Sequence, residues 1–298
     1  LNTHLLAVQN LNSNVWEKLI QASFNFSKNC NDSCIIPKHS NQISFLFWEP
    51  STRTQLSFSI AAHKLNLHVH NLLPENSSLS KGETLLDTSL NLEAMGLSAL
   101  VIRLKEENLL KDVASKLKTL KIICAGEGKT SHPSQALLDA CTIYEHFNRL
   151  DNLKILFLGD VEHSRVYSSN REWLSWYAND IYHLSPSTQK LFSLSKNENV
   201  QDNWENHLGM FDIIIMLRPQ LERHHAPLDL THYHQNMGIT LDRFAKIKKN
   251  AICMHPGPFY PNTEFANDLL QHAQFKIMRQ VHWGVYARMS IFNFVLGK

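Results

Sequence analysis

The stretch ISFLFWEPSTRTQLSF, residues 43 to 58, joins two patterns that belong to different elements. Ile43, Phe45 and Phe47 alternate with Ser44, Leu46 and Trp48, so both faces are largely apolar, as in an inner strand of a covered sheet. Beyond Pro50, Leu56, Ile60 and Lys64 fall four apart and Phe58, Ala61 and Leu65 form a second stripe, which predicts a helix with much of its circumference buried. Ser51, Thr52, Arg53 and Thr54 therefore stand where a strand hands over to a helix. Backbone N–H groups there lack intrahelical acceptors, and such a terminus binds anions. An ordinary N-cap explains one hydroxyl. It explains neither three nor an arginine in a first turn whose dipole disfavours positive charge, so the stretch predicts a phosphate-type site.

The same hand-over recurs along the chain. Apolar runs at 43–48, 99–103, 120–125, 153–158, 212–217 and 250–254 are separated by helical stretches such as 105–118 and 134–147. This alternation predicts an α/β fold of doubly wound parallel sheets, with ligands gathered at the carboxyl ends of the strands. Several of the segments that follow strands carry arginine or histidine: Ser51 to Thr54, Arg103, Gly126 to Gln135, Gly159 to Arg165, Arg218 to Gln220 and His255 to Pro258. A dianionic substrate would require such groups.

At 298 residues two domains are expected. A formal charge of +2 is too balanced to argue for nucleic acid or a membrane surface. The five cysteines, Cys30, Cys34, Cys124, Cys141 and Cys253, are odd in number and form no CxxC pair, which predicts reduced thiols in a cytoplasmic protein. No apolar run reaches bilayer length. The chain opens on Leu1 rather than methionine, so residues ahead of it are expected.

Three patterns are decoys. AGEGKTS ends like a phosphate loop, but the glycine required five positions before Gly128 is Ile123. Gly159-Asp160 closes a strand in dinucleotide style without the second and third glycines of that fingerprint. His224, His225, His232 and His234 form no helical i, i+4 pair with a carboxylate, and read as loop histidines rather than a metal site.

Seven segments, FWEPSTRTQLSF, KGETLLDT, VIR, HPSQALLD, GDVEHSR, LRPQLER and HPGP, occur in an order and spacing that resembles the aspartate transcarbamoylase catalytic chain, in the aspartate/ornithine carbamoyltransferase family. The resemblance runs from about Ser44 to Ser290. The ornithine branch usually has lysine where this chain has Glu49, and His-Cys-Leu-Pro where it has His255-Pro256-Gly257-Pro258. The resemblance implies transfer of a carbamoyl group from carbamoyl phosphate to L-aspartate in pyrimidine synthesis, without metal or organic cofactor. It implies two such domains, 1–133 with a returning C-terminal helix 284–298 and 134–283, with the active site in the cleft between them.

By the matching motifs, Ser51, Thr52, Arg53 and Thr54 cradle the phosphate. Thr54, Arg103 and His132 surround the carbonyl oxygen, Gln135 meets the carbamoyl amide, and Gly257 and Pro258 offer backbone carbonyls. Arg53, Thr54, Arg103 and His132 are thereby the catalytic set. Lys81, Arg165, Arg218 and Gln220 take aspartate, and Glu49 pairs with Arg165 and Arg223 on domain closure. Either Ser78 or Ser80 fills the phosphate-contacting serine position near Lys81. Where many relatives carry an arginine soon after HPGP, this chain has Phe259, Tyr260 and Pro261. The resemblance also implies a homotrimer with active sites shared between chains, and leaves open a regulatory chain or a dihydroorotase as partner. The alternatives are a sister carbamoyltransferase acting on another amine such as ornithine, and an inactive scaffold subunit.

Overall fold

The computed structural model describes residues 4–28, 40–221, 230–260 and 262–297. The chain divides into two compact units, Leu1–Cys141 with Val281–Lys298, and Thr142–Gln280. The division falls within a helix rather than at the expected 133/134 boundary, because Pro133 starts that helix and its first two turns pack with the N-terminal unit.

Unit 1 opens with α1 (Ser13–Lys28) and carries a four-stranded sheet of β1 (Gln42–Phe47), β2 (His68–Leu72), β3 (Ala99–Leu104) and β4 (Lys121–Glu127) in the order β2-β1-β3-β4. All three pairings are parallel. The connections are α2 (Thr52–Lys64), α3 (Leu85–Ala94) and α4 (Leu109–Ser115), and α5 (Pro133–Phe147) leaves after β4. Both sheet faces are covered, as the doubly apolar runs demand. Leu46, Leu100, Ile102 and Ile122 pack with Leu92 of α3 and Val113 of α4. On the opposite side of β1, Phe45 meets Phe58 of α2 at 6.2 Å between ring centroids. Phe58 in turn meets Phe292 of the returning helix (Ile277–Leu296) at 5.6 Å. Each buried ring contributes about 2 kcal/mol.

The reading of α2 needs one correction. Phe58, Ala61, Ala62 and Leu65 are fully buried, but Leu56 is 57% exposed and Ile60 39%. One stripe packs on the sheet and the other faces out of the unit.

Unit 2 holds β5 (Lys154–Gly159), β6 (Asp180–Leu184), β7 (Leu191–Ser193), β8 (Glu198–Asn199), β9 (Ile213–Leu217) and β10 (Ile252–Met254) in the order β10-β9-β5-β6-β7-β8. The first four in that order are parallel, and β7 and β8 form an antiparallel edge. Its helices are α6 (Arg165–Leu174), α7 (Leu230–Met237) and α8 (Leu241–Ala245), after which comes the returning helix, α9. Leu156, Ile214 and Met216 face Tyr233 and Met237 of α7, while Phe157 on the other face meets Tyr167 of α6 at 5.0 Å. Among the described residues no helix is long and apolar enough to cross a membrane.

Candidate functional site

In unit 1, β1, β3 and β4 lie side by side and parallel, so the segments leaving their carboxyl ends are neighbours. After β1, Ser51 has φ −156° and ψ 87°, and α2 begins at Thr52. Ser51 makes no side-chain capping bond, and no acidic residue stands in the first turn. Among the described residues the side chains of Ser51, Thr52, Arg53 and Thr54 form no hydrogen bond. Three hydroxyls and a guanidinium are thus uncommitted at a helix N-terminus, which is what anion recognition needs. Partial burial pulls the Arg53 guanidinium below its usual value.

Arg103 stands opposite Phe47 near the end of β3. Its Nη1 donates to Ala125 O at 3.2 Å, and its Nε lies 3.4 Å from Glu49 Oε2 as an ion pair rather than a directed hydrogen bond. Glu49 therefore braces Arg103. Arg223, assigned with Glu49 to domain closure, lies outside the described residues, as do Cys30, Cys34, His224 and His225.

Beyond β4 the Glu127 N–H donates to Ser131 O at 2.9 Å, closing a turn that delivers His132 to the start of α5. Pro133 suits that first position because its φ is already helical and its missing N–H is not needed there. His132, Ser134 and Gln135 are all buried. Gln135 Nε2 donates to Asp139 Oδ1 at 3.0 Å, one helical turn on. A carboxylate only accepts, so Asp139 fixes the amide orientation and leaves Gln135 Oε1 as an acceptor. That suits an amide N–H of a carbamoyl group. Lys81 ends the short turn Ser78–Lys81, is exposed, and forms no hydrogen bond or ion pair among the described residues.

In unit 2 the segments after β5, β9 and β10 hold the remaining candidates. Gly159 has φ +126°, and a Cβ there would lie 2.3 Å from Leu217 O, so only glycine lets the end of β5 pass the end of β9. Asp160, 2% exposed, accepts from Gln220 N at 3.0 Å and binds His163 Nδ1 at 2.7 Å. Gln220 Nε2 donates to His163 O at 2.7 Å. Asp160 and Gln220 thus tie the segment bearing Arg218 to the one bearing Arg165. Ser164 caps α6 by accepting from Tyr167 N at 3.2 Å, which sets Arg165 in the first turn.

Arg218 Nη1 donates to Tyr260 Oη at 3.0 Å. His255, fully buried, accepts from Gly257 N through Nδ1 at 2.8 Å and turns Nε2 toward Glu264 Oε1 at 3.6 Å. Glu264 Oε2 also accepts from Tyr260 N at 2.9 Å. One buried carboxylate therefore shapes both Gly257-Pro258 and the tyrosine beside Arg218. Sequence reasoning missed Asp139, Asp160, Tyr260 and Glu264. Only Asp139, four residues after Gln135, left a readable spacing.

The described cysteines, Cys124, Cys141 and Cys253, are buried and unbridged, and burial pushes the Cys253 thiol up to about 12. A thiolate nucleophile is not available there. His234 Nδ1 is bound to Thr263 O at 2.9 Å.

Comparison with known proteins places these residues in a family context. The model of the aspartate/ornithine carbamoyltransferase carbamoyl-P binding domain matches residues 3–145, and that of the Asp/Orn binding domain matches 151–295. The chain is 37% identical over 259 residues to an aspartate carbamoyltransferase catalytic subunit of Streptococcus uberis, covering 85% of this chain and 82% of the relative. It is 34% identical over 302 residues to that of Fusobacterium nucleatum, covering 99% and 96%. Its fold is similar to a Trypanosoma cruzi aspartate transcarbamoylase crystallised with carbamoyl phosphate and aspartate, with TM-score 0.86, 22% identity and coverage of 100% and 96%.

Proposed function

This chain belongs to the aspartate/ornithine carbamoyltransferase family, and from that premise we propose that it transfers the carbamoyl group of carbamoyl phosphate to the amine of L-aspartate. The products are N-carbamoyl-L-aspartate and phosphate, in cytoplasmic pyrimidine synthesis. The observation that carries the reading is the uncommitted set Ser51, Thr52, Arg53 and Thr54 at the head of α2, which follows β1 of the sheet whose β3 bears Arg103 and whose β4 leads to His132.

The residues divide the chemistry between them. The aspartate amine forms a bond to the carbamoyl carbon, the carbonyl oxygen gains negative charge, the bond from that carbon to the phosphate oxygen breaks, and the amine proton leaves with the phosphate. Charge therefore grows at two places, and fixed donors aimed at both are the strongest lever available. Thr54, Arg103 and His132 serve the carbonyl oxygen. Arg53 with the amides and hydroxyls of Ser51, Thr52 and Thr54 serves the leaving phosphate. Gln135 Oε1 and the carbonyls of Gly257 and Pro258 accept from the carbamoyl amide and orient it.

Arg165 and Arg218 on unit 2 favour an acceptor with two carboxylates, and would repel the second ammonium of ornithine. Assay of carbamoyl phosphate turnover with aspartate, with ornithine and with no acceptor tests this. Turnover with aspartate alone is expected. Turnover with ornithine would replace the reading with the sister activity, and none with either would leave an inactive scaffold. Tyr260→Phe removes the acceptor that holds Arg218 Nη1, so KM for aspartate should rise about fivefold to tenfold, the scale of a typical side-chain hydrogen bond, with kcat nearly unchanged. Steady-state kinetics at saturating carbamoyl phosphate would show it.

The proposed assembly is a homotrimer in which Lys81 of one chain joins the Arg53 and His132 of its neighbour. Exposed Lys81, without a side-chain partner among the described residues, and the exposed apolar pair Leu56 and Ile60 on α2 support it.

A further inference from the structure

A guanidinium lies buried in unit 1 that the chemistry above does not use. Arg288, on α9, is 2% exposed, and among the described residues it has no carboxylate partner. Its Nη1 donates to Gly284 O at 2.8 Å, its Nη2 to Ser134 Oγ at 3.4 Å, and its guanidinium sits 4.9 Å from the centre of the Phe58 ring. Burial, with Arg103 as a neighbouring cation, pulls it down to about 9. An uncompensated buried charge is costly. The helix also yields room for it, since a Cβ on Gly284 would come within 2.9 Å of Nη1, and an interior glycine costs about 1 kcal/mol relative to alanine. Two unfavourable local choices thus serve one side chain.

What that side chain does follows from donor and acceptor counting. Arginine has only donors, so Ser134 Oγ must accept from Nη2. The single proton of Ser134 Oγ is then free for its other partner, His132 Nδ1, at 3.5 Å. Both bonds are long, as hydrogen bonds around a reacting group often are before substrate binds. If Nδ1 accepts, a neutral imidazole carries its proton on Nε2.

We propose that Arg288, acting through Ser134, holds His132 as the Nε2–H tautomer, so that His132 presents a donor rather than a lone pair to the carbamoyl oxygen. Arg288 and Ser134 are positioning residues, and Gly284 makes the space in which Arg288 folds back. The use made of the donor rests on the carbamoyl-transfer reading; the tautomer does not.

Nitrogen-15 spectra of the histidine-labelled, substrate-free protein, with His132 assigned from the His132→Asn spectrum, test the chain directly. The parent should show one neutral tautomer with Nε2 protonated. Ser134→Ala should give a mixture of tautomers and a kcat about tenfold lower, as expected for a group released from a productive orientation. Ser134→Thr, which keeps the hydroxyl, should restore both. Arg288→Met should reproduce the Ser134→Ala spectrum; if it does not fold, the Ser134 pair still decides. A parent protonated at Nδ1, or a single Nε2–H tautomer surviving in Ser134→Ala, would overturn the proposal. A parent inactive toward carbamoyl phosphate would sink the reaction assignment instead, and the same spectra would still decide the tautomer.

Discussion

Arg53→Ala should lower kcat about a thousandfold, the scale of losing a donor aimed at developing charge, while stability changes by no more than about 0.5 kcal/mol. The two halves of this expectation have separate physical grounds. The Arg53 side chain is largely exposed and makes no hydrogen bond among the described residues, so its truncation opens no cavity and orphans no partner. It also sits in the first turn of α2 without an acidic neighbour there, where the helix dipole opposes a cation. Loss of that charge is neutral or slightly favourable to the helix. Only when phosphate departs does the guanidinium meet its counter-charge, so its contribution appears in turnover and not in folding. Steady-state kinetics beside a denaturant titration separate the two; activity within tenfold of the parent would remove the phosphate cradle from the reading.

The elements that sequence periodicity located are the ones buried on two faces. The runs that became β1, β3, β4, β5 and β9 are almost wholly apolar because helices cover both sides of each sheet. HVHNL, which became β2, has no fully buried residue and lies at the edge of its sheet, so it carries no apolar signal. The β7–β8 hairpin is a short antiparallel edge that an alternating α/β pattern does not anticipate. The exposed Leu56 and Ile60 mislead for a related reason: spacing reports an apolar stripe but not what covers it.

At the candidate site the legible residues are polar ones that follow strands, because a hydroxyl cluster or an arginine after an apolar run stands out against its neighbours. The residues that orient them were illegible. Asp160 meets Gln220 across 60 positions, Tyr260 meets Arg218 across 42, and Arg288 meets Ser134 across 154. Their roles arise from contacts that only the folded units create.

Mixing two inactive variants should restore roughly one quarter of parent activity, the share set by random assembly of a ring with sites at its contacts. The variants are Lys81→Gln and His132→Ala, each expected to be nearly inactive alone. Lys81 closes an exposed turn built by local bonds, such as Ser80 Oγ to Ser77 O at 2.7 Å, and its ammonium has no partner among the described residues. His132 is buried at the start of α5. If one chain gives Lys81 to a neighbour's His132, each contact is head-to-tail, and such contacts form a ring when their rotation closes, here at three chains. A site in a mixed ring is whole when the chain giving Lys81 carries only the His132 change and the chain giving His132 carries only the Lys81 change. Each condition holds for half the chains, so the two together hold for roughly a quarter of the sites. Dissociation, equal mixing and reassembly should therefore yield activity that neither parent variant possesses, and it should fall as either variant is made to dominate the mixture. A site contained within one chain allows no recovery at any ratio, because every chain in the mixture lacks one of the two groups. That outcome would leave the carbamoyl-transfer reading intact and end the shared-site trimer.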